Sequence, residues 1–401
     1  MMRILFLCNK SPYPAREGGP LAMNANILSM LKAGHEVKVL AMNTNKYQVD
    51  PKEIPNDYRE KTGIEFVYVD LAIKPLAAFL NLFSKKSYHV ERFISKAFEQ
   101  KLIEILRTGD FDIVQLEMLY MTPYVDVIRK HSNAKIILRS HNIEHLIWKR
   151  VAETTKNPLK SLYLKHLTAK LKNYELDKLN TYDGIACISS KDAEFFSDNG
   201  CKIPITTVPF GVDTETYHTG DLNYEFPSLF HIGSMNWMPN EEGINWFLEN
   251  AWQGIHDKFP ELKLYLAGRE MPDWLTNLNR KNIEVLGEVD DAQVFIHSKA
   301  IMVVPLFSGS GIRIKIIEGM AMGKAIISTT IGAEGIGYTH QKNILIADTA
   351  EAFLEAVRVC ISDQSTCEQL GQEARKLILK EHSHDAVIKA LEEIYSIVLK
   401  N

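Results

Sequence analysis

The stretch 303–330, VVPLFSGSGIRIKIIEGMAMGKAIISTT, constrains this chain more than any other. Residues 301–306 and 325–330 are unbroken apolar runs rich in β-branched side chains, as strands buried on both faces require. Between them Ile312, Ile316 and Met320 recur every four residues, with Ile314, Ile317 and Ala321 beside them. Gly309 and Gly311 open this segment and Gly323 closes it. The spacing predicts a strand, a glycine loop, a short buried helix and a second strand, the repeating unit of a parallel α/β sheet.

A helix entered from a glycine loop at the carboxyl end of a buried strand directs free N–H groups and its positive dipole end at the sheet edge, which favours an anion. Arg313 and Lys315 add positive charge there. Glu318, three residues after Lys315, shares its face and offers a carboxylate to hydroxyl groups. Together they suit a ligand that carries both phosphates and a sugar. The competing account of Lys315 and Glu318 is an ordinary helix-surface pair worth roughly a few tenths of a kcal/mol.

From Pro305-Leu306 to Ser328-Thr329 the chain resembles the donor-site signature of the family 4 glycosyltransferases, which have the GT-B fold. That family carries Glu-x7-Glu, whose second glutamate holds ribose hydroxyls. Glu318 matches the second position, while Ser310 stands where the first glutamate would be. The run Gly-Ser-Gly-Ile-Arg-Ile-Lys resembles a branch of the same family. The resemblance implies a nucleotide diphosphate sugar contacted by Ser310, Gly311, Ile312 and Glu318, with Arg313 and Lys315 against the leaving diphosphate. Ser310 could bond a hexose hydroxyl but brings no charge.

At 401 residues the chain is long for one core, so two α/β domains are expected. A net charge of −4 argues against wholesale nucleic-acid binding. Five cysteines without a CxxC pair argue against a disulfide framework or a zinc ribbon and for a reducing, cytoplasmic compartment. The apolar run near the N-terminus is too short for a signal peptide, and no run is long enough to span a bilayer.

In the first half, strands are expected at 4–8, 37–42, 63–70, 111–116, 135–138, 184–189 and 205–208, with a helix from about Pro20 to Gly34. The loop before that helix is long and ends in Gly18-Gly19-Pro20 without a GxGxxG fingerprint. The resemblance places the Gly18 and Gly19 backbone at the donor diphosphate; a plain turn before a helix-opening proline accounts for them equally well. Asp110-Phe111-Asp112 looks like a metal-binding DxD, yet a turn before a strand explains it more simply.

His141-Asn142-Ile143-Glu144-His145 has two readings. As H-x-x-E-H it fits a zinc-peptidase motif, which needs both histidines on one helix. As the end of a strand it fits the resemblance, which implies that His141 lies beside the transferred hexose.

Residues 209–213, Pro-Phe-Gly-Val-Asp, resemble the family's interdomain Pro-Asn-Gly-Val-Asp, with Phe210 in place of Asn. The expected division is therefore 1–208, an acceptor-side Rossmann-like domain; 209–380, a donor-side Rossmann-like domain; and 381–401, a C-terminal helix that returns to the first domain. The two domains of a GT-B protein face a cleft. The second half has expected strands at 229–232, 262–267 and 283–286, and a helix from about 241 to 252. Many family members carry Arg and Lys in the loop 233–240, which here has neither, so Arg313 and Lys315 are expected to supply that charge. Gly287-Glu288-Val289 resembles the turn whose backbone meets the nucleobase.

Two segments combine lysines with apolar residues, 74–88 and 156–172. A buried core helix with a basic end is the favoured account of each, and contact with a membrane surface the alternative. The expectation as a whole is a retaining hexosyltransferase acting between a nucleotide sugar and a saccharide or lipid-linked acceptor, in cell-envelope polysaccharide or glycolipid synthesis. It would need no metal or other cofactor, bind no nucleic acid, and work in the cytoplasm or peripherally at the inner membrane face. A nucleotide-sugar epimerase of the same fold, a silent nucleotide-sugar binder and the zinc peptidase are the competing readings.

Overall fold

Apolar runs of strand length alternate with amphipathic helices along the chain, and in the computed structural model these build two α/β units. Residues 1–15, 17–217, 224–309 and 311–400 are described. The chain passes from the first unit to the second after Gly211 and rejoins the first at His384.

The first unit holds seven strands: β1 (Arg3–Cys8), β2 (Glu36–Thr44), β3 (Glu65–Val69), β4 (Ile113–Glu117), β5 (Lys135–Ser140), β6 (Gly184–Cys187) and β7 (Ile205–Thr207). All pair in parallel in the order β3-β2-β1-β4-β5-β6-β7. The order reverses between β1 and β4, the place where open α/β sheets leave a crevice at their carboxyl ends. Alternate residues of β1 feed two cores: Leu5 and Leu7 join one, Ile4, Phe6 and Cys8 the other. The second core is closed by the C-terminal helix His384–Lys400, which buries Leu391, Ile394, Tyr395 and Val398. His384 also meets Ser29 of helix Gly18–Lys32, Nδ1 to Oγ at 2.7 Å.

The second unit holds β8 (Glu225–Ile232), β9 (Lys263–Ala267), β10 (Ile283–Gly287), β11 (Lys299–Val304), β12 (Ala325–Ser328) and β13 (Leu345–Ile346). The order is β10-β9-β8-β11-β12-β13, again parallel, with the reversal between β8 and β11. Ile301 to Val304 are wholly buried, as their apolar run requires. The unit closes on itself where the Val212 N–H donates to the His382 carbonyl at 2.8 Å.

Several expected boundaries shift for local reasons. The strand expected at 301–306 stops at Val304, because Pro305 has no N–H to continue the ladder. The helix after it spans Ile314–Ala321 and leaves Ile312 outside, because Gly311 sits at φ +78 and Arg313 is extended. The helix expected over 241–252 starts earlier, at Met238, and continues as a π turn over Phe247–Ala251 and a further helix Trp252–Lys258. β13, two residues long, escaped the pattern altogether.

The segment 74–88 is not a core helix. Its helix Pro75–Asn81 leaves Leu76, Phe79 and Leu80 exposed, and Phe83 follows them. Among the described residues no helix is long and apolar enough to cross a membrane.

Candidate functional site

In the second unit the cations gather at the carboxyl ends of β8 and β11. Gly309 and Gly311 have φ of +105 and +78, a region that glycine enters without strain. A Cβ on Gly309 would come within 3.0 Å of both Arg313 Nη2 and the Trp237 ring, so the loop folds back over the guanidinium. Arg313 is buried, donates from Nη1 to the Gly311 carbonyl at 2.5 Å, and lies 5.2 Å from the centre of the Trp237 ring. Ile312 is half-buried in the extended link between them. Ser310 lies outside the described residues.

Lys315 stands in the first turn of the helix Ile314–Ala321, and its Nζ reaches across to the elements that follow β8. It donates to Asn240 Oδ1 at 2.8 Å and to His231 Nε2 at 3.3 Å. His231 is fully buried, and its Nδ1–H donates to the Val303 carbonyl at 2.8 Å, which leaves Nε2 as the acceptor. Burial, and then the charge of Lys315, hold the His231 pKa well below its ordinary value. Burial, and then the charge of Arg313, draw Lys315 down to about 7, with Glu318 acting in the opposite sense. Gly233 lies directly beneath: a Cβ there would stand 2.5 Å from Lys315 Nζ. The 233–240 loop thus contributes a glycine that makes room for a cation from elsewhere.

Glu318 takes a separate partner, accepting from the Tyr217 O–H at 2.8 Å. Burial raises its pKa, opposed by Tyr217 and Lys315. Lys315 and Glu318 therefore do not form the ordinary surface pair that their spacing allows. Both are half-buried, and among the described residues the hydrogen-bond partners of Lys315 are neutral. Val289 is half-buried after β10, with β9 between that strand and β8.

In the first unit the corresponding sheet edge carries a buried polar chain. β4 ends in Glu117, which has no exposed surface; its Oε2 lies 2.6 Å from His141 Nε2, just past the end of β5. Glu117 Oε1 accepts from Gln115 Nε2 at 2.6 Å and from Asn26 Nδ2 at 3.4 Å. The Tyr395 O–H donates to Gln115 Oε1, so the chain runs from the C-terminal helix to the imidazole. Burial lowers the His141 pKa first, Glu117 raises it by hydrogen bond and charge, and Arg139 and Lys10 lower it further. With Nε2–H given to Glu117, Nδ1 is the ring nitrogen left to accept.

His145 belongs to a different cluster. It lies on the helix Glu144–Thr154, and its Nδ1 is 2.6 Å from Glu175 Oε2. Glu175 also accepts the N–H groups of Glu144 and His145 at 2.9 and 3.1 Å, capping that helix. The zinc-peptidase reading fails here, because His141 precedes the helix and each histidine is held by its own carboxylate. Among the described residues no group of three or more His, Cys, Asp or Glu is placed to hold a metal ion.

Gly18 and Gly19 form the first turn of the helix Gly18–Lys32. A Cβ on Gly19 would meet Lys10 Cε at 2.9 Å. The absent side chain therefore leaves room for Lys10, whose Nζ lies 4.3 Å from the centre of the Tyr47 ring and 3.6 Å from the Glu17 carboxylate.

Sequence reasoning missed Lys10, Glu117, Tyr217, His231 and Asn240. A signal for Glu117 was present: Gln115 and Glu117 interrupt an otherwise apolar central strand, where a buried carboxylate needs a partner. His231 likewise stands inside an apolar run.

Residues 226–363, within the second unit, match the family model described as glycosyl transferases group 1. An uncharacterized 44.6 kDa protein in the cps region of Klebsiella pneumoniae is 24% identical over 373 residues, covering 89% of this chain and 90% of its own length. Anabaena HepE, solved in complex with UDP-glucose, superposes with a TM-score of 0.66 at 13% identity, over 99% of this chain and 100% of that one. Sucrose-phosphate synthase from Thermosynechococcus elongatus superposes with a TM-score of 0.68 at 14% identity, over 99% of both. The fold is GT-B, with two Rossmann-like α/β units in one chain.

Proposed function

We propose that this chain, whose second unit carries a group 1 glycosyl transferase domain, moves a hexose from a nucleotide diphosphate sugar to an acceptor hydroxyl with retention at the anomeric carbon. The observation that supports this most is Lys315 in its setting. A half-buried ammonium with a pKa near 7 has neutral hydrogen-bond partners among the described residues and a second cation close by, and Glu318 offsets only part of that positive charge, which leaves a need for further negative charge. A diphosphate would supply it.

In this reading the bond between the anomeric carbon and the diphosphate oxygen lengthens as negative charge grows on the leaving group. Lys315, Arg313 and the N–H groups beside Gly311 and Ile312 stabilise that charge without reorganising. These groups do the work that a divalent cation does elsewhere, so the reaction runs without a metal. Glu318, oriented by Tyr217, accepts from the ribose hydroxyls. Val289 meets the nucleobase, and Ser310 bonds a hexose hydroxyl.

For Gly18 and Gly19 the role that the resemblance implies is backbone contact with the donor diphosphate, and for His141 contact with the hexose. His141, neutral and fixed by Glu117, presents one defined tautomer. Because HepE was solved with UDP-glucose, a uridine nucleotide is the first donor to test. The relative in the cps region favours cell-envelope polysaccharide or glycolipid synthesis, with a saccharide or lipid-linked acceptor.

The test is a thermal-shift and calorimetric panel of nucleotide diphosphates and their sugars, on the wild type and on Lys315→Met and Glu318→Ala. A ligand at a hundred times its dissociation constant stabilises by about 2.7 kcal/mol, an effect both variants should lose. Acceptor-dependent release of nucleotide diphosphate then separates transfer from epimerisation. Absence of any shift with the folded wild type would sink the reading.

A further inference from the structure

The two lysine-rich segments lie against each other in the first unit. Helix Pro75–Asn81 turns Ala78 and Asn81 inward, and Ala78 and Tyr88 pack with Leu167 and Tyr163 of the helix Pro158–Asp177. Lys170, buried between them, donates from Nζ to the carbonyls of Asn81 and Leu82 at the end of the shorter helix. The contact uses the inner face of each helix. The outer face of the first carries Leu76, Phe79, Leu80 and Phe83 at i, i+3, i+4 and i+7, the spacing of a stripe that normally covers a core. Here the core lies on the other side. Leu76 is 72% and Phe83 80% exposed, and on the neighbouring helix Leu159 is 79% and Leu162 67% exposed. The rings of Phe79 and Phe83 meet edge to face at 5.6 Å. Exposed large apolar side chains on two helices that touch mark a place of contact with something else.

Charge identifies the occupant. No aspartate or glutamate occurs between Asp70 and Glu91, or between Glu153 and Glu175, in a chain whose net charge is −4. Exposed Lys74, Lys85, Lys160 and Lys165 flank the apolar side chains instead. A partner apolar inside and anionic at its rim matches this pattern. We infer that the first unit docks through this two-helix face on an anionic lipid surface, with the leucines and phenylalanines in the acyl boundary and the lysines at the head groups. A second copy of the chain fits less well, because a two-fold interface would bring like-charged lysines together. The inference does not rest on the transferase reading, and its test contains neither donor nor acceptor.

The full chain is centrifuged with vesicles of phosphatidylcholine alone or with about a third phosphatidylglycerol, at low and high salt. Binding is expected to the anionic vesicles and to weaken with salt. Lys85→Gln with Lys160→Gln should lower the partition coefficient by roughly thirtyfold, at about one kcal/mol per lysine. Leu76→Ser with Phe79→Ser and Phe83→Ser should abolish binding while leaving the melting temperature in place, since these side chains are exposed. No binding to anionic vesicles, or binding that the triple substitution leaves intact, would overturn the inference. So would a stable dimer by light scattering that the triple substitution dissociates, which would assign the face to a second copy.

Discussion

Lys315 Nζ lies 2.8 Å from Asn240 Oδ1 across 75 positions of sequence, bridging the helices that follow the two strands on either side of the order reversal in the second sheet. Its other partner, His231 Nε2, is also uncharged. The ammonium is thus oriented by neutral acceptors, with no carboxylate hydrogen-bonded to it among the described residues.

Its titration should govern anion binding. The Lys315 pKa is drawn down to about 7 by burial and by Arg313, and under the proposed function the charged form is the one that would bind a diphosphate. Affinity should therefore be fully present below about pH 7 and fall as pH rises, by at most about tenfold per unit, up to the pKa of the bound state. Lys315→Arg keeps its charge and should flatten the profile. Calorimetry with a nucleoside diphosphate from about pH 6 to 9 checks this; parallel profiles for the two proteins would exclude Lys315 as the titrating group.

Glu117 should act through His141. The carboxylate raises the imidazole pKa by hydrogen bond and charge, so Glu117→Gln should move it further down. Imidazole nitrogen shifts followed through a pH titration report that change directly. Turnover should drop by roughly a hundredfold. An unchanged His141 titration would remove Glu117 from this role.

Gly243 offers a reversal of an ordinary rule. Alanine in place of a helical glycine usually stabilises by about 1 kcal/mol. Here a Cβ would stand 2.2 Å from the Pro305 carbonyl oxygen, a backbone atom that cannot swing away. Gly243→Ala should instead destabilise by about 1–3 kcal/mol in urea unfolding.

Tyr217→Phe removes the O–H that Glu318 accepts. Because that bond lowers the Glu318 pKa, its loss should raise it further. Stability should fall by about 1.5–3 kcal/mol, the range for a hydrogen bond to a charged group. Chemical denaturation of the two proteins at neutral pH measures it, and an equal midpoint would mean that water replaces the phenol.

Much of the fold was legible in the order of residues. A parallel strand buried on both faces must read as a continuous apolar run, and the runs at 4–8, 301–306 and 325–330 did so within a residue or two. Gly309 and Gly311 marked a loop, and both take a positive φ that few other residues adopt. Arg313, Lys315 and Glu318 could be singled out because all three sit within one turn or two of the same helix start. These are local properties, set by steric preferences and by the period of a helix or strand.

What the chain does with those residues was settled at longer range. Glu117 meets His141 because β4 and β5 are neighbours in the sheet, and Lys315 meets His231 and Asn240 because β8 and β11 are. The apolar spacing at Leu76, Phe79, Leu80 and Phe83 pointed to a buried helix, yet Ala78 and Asn81 take the inward face. A period says that one face of a helix is apolar, while the elements packed around it decide which face is covered. Sequence therefore determined the elements and their charged termini. Tertiary structure decided the partners, because strand order brings together residues whose attraction no local window contains.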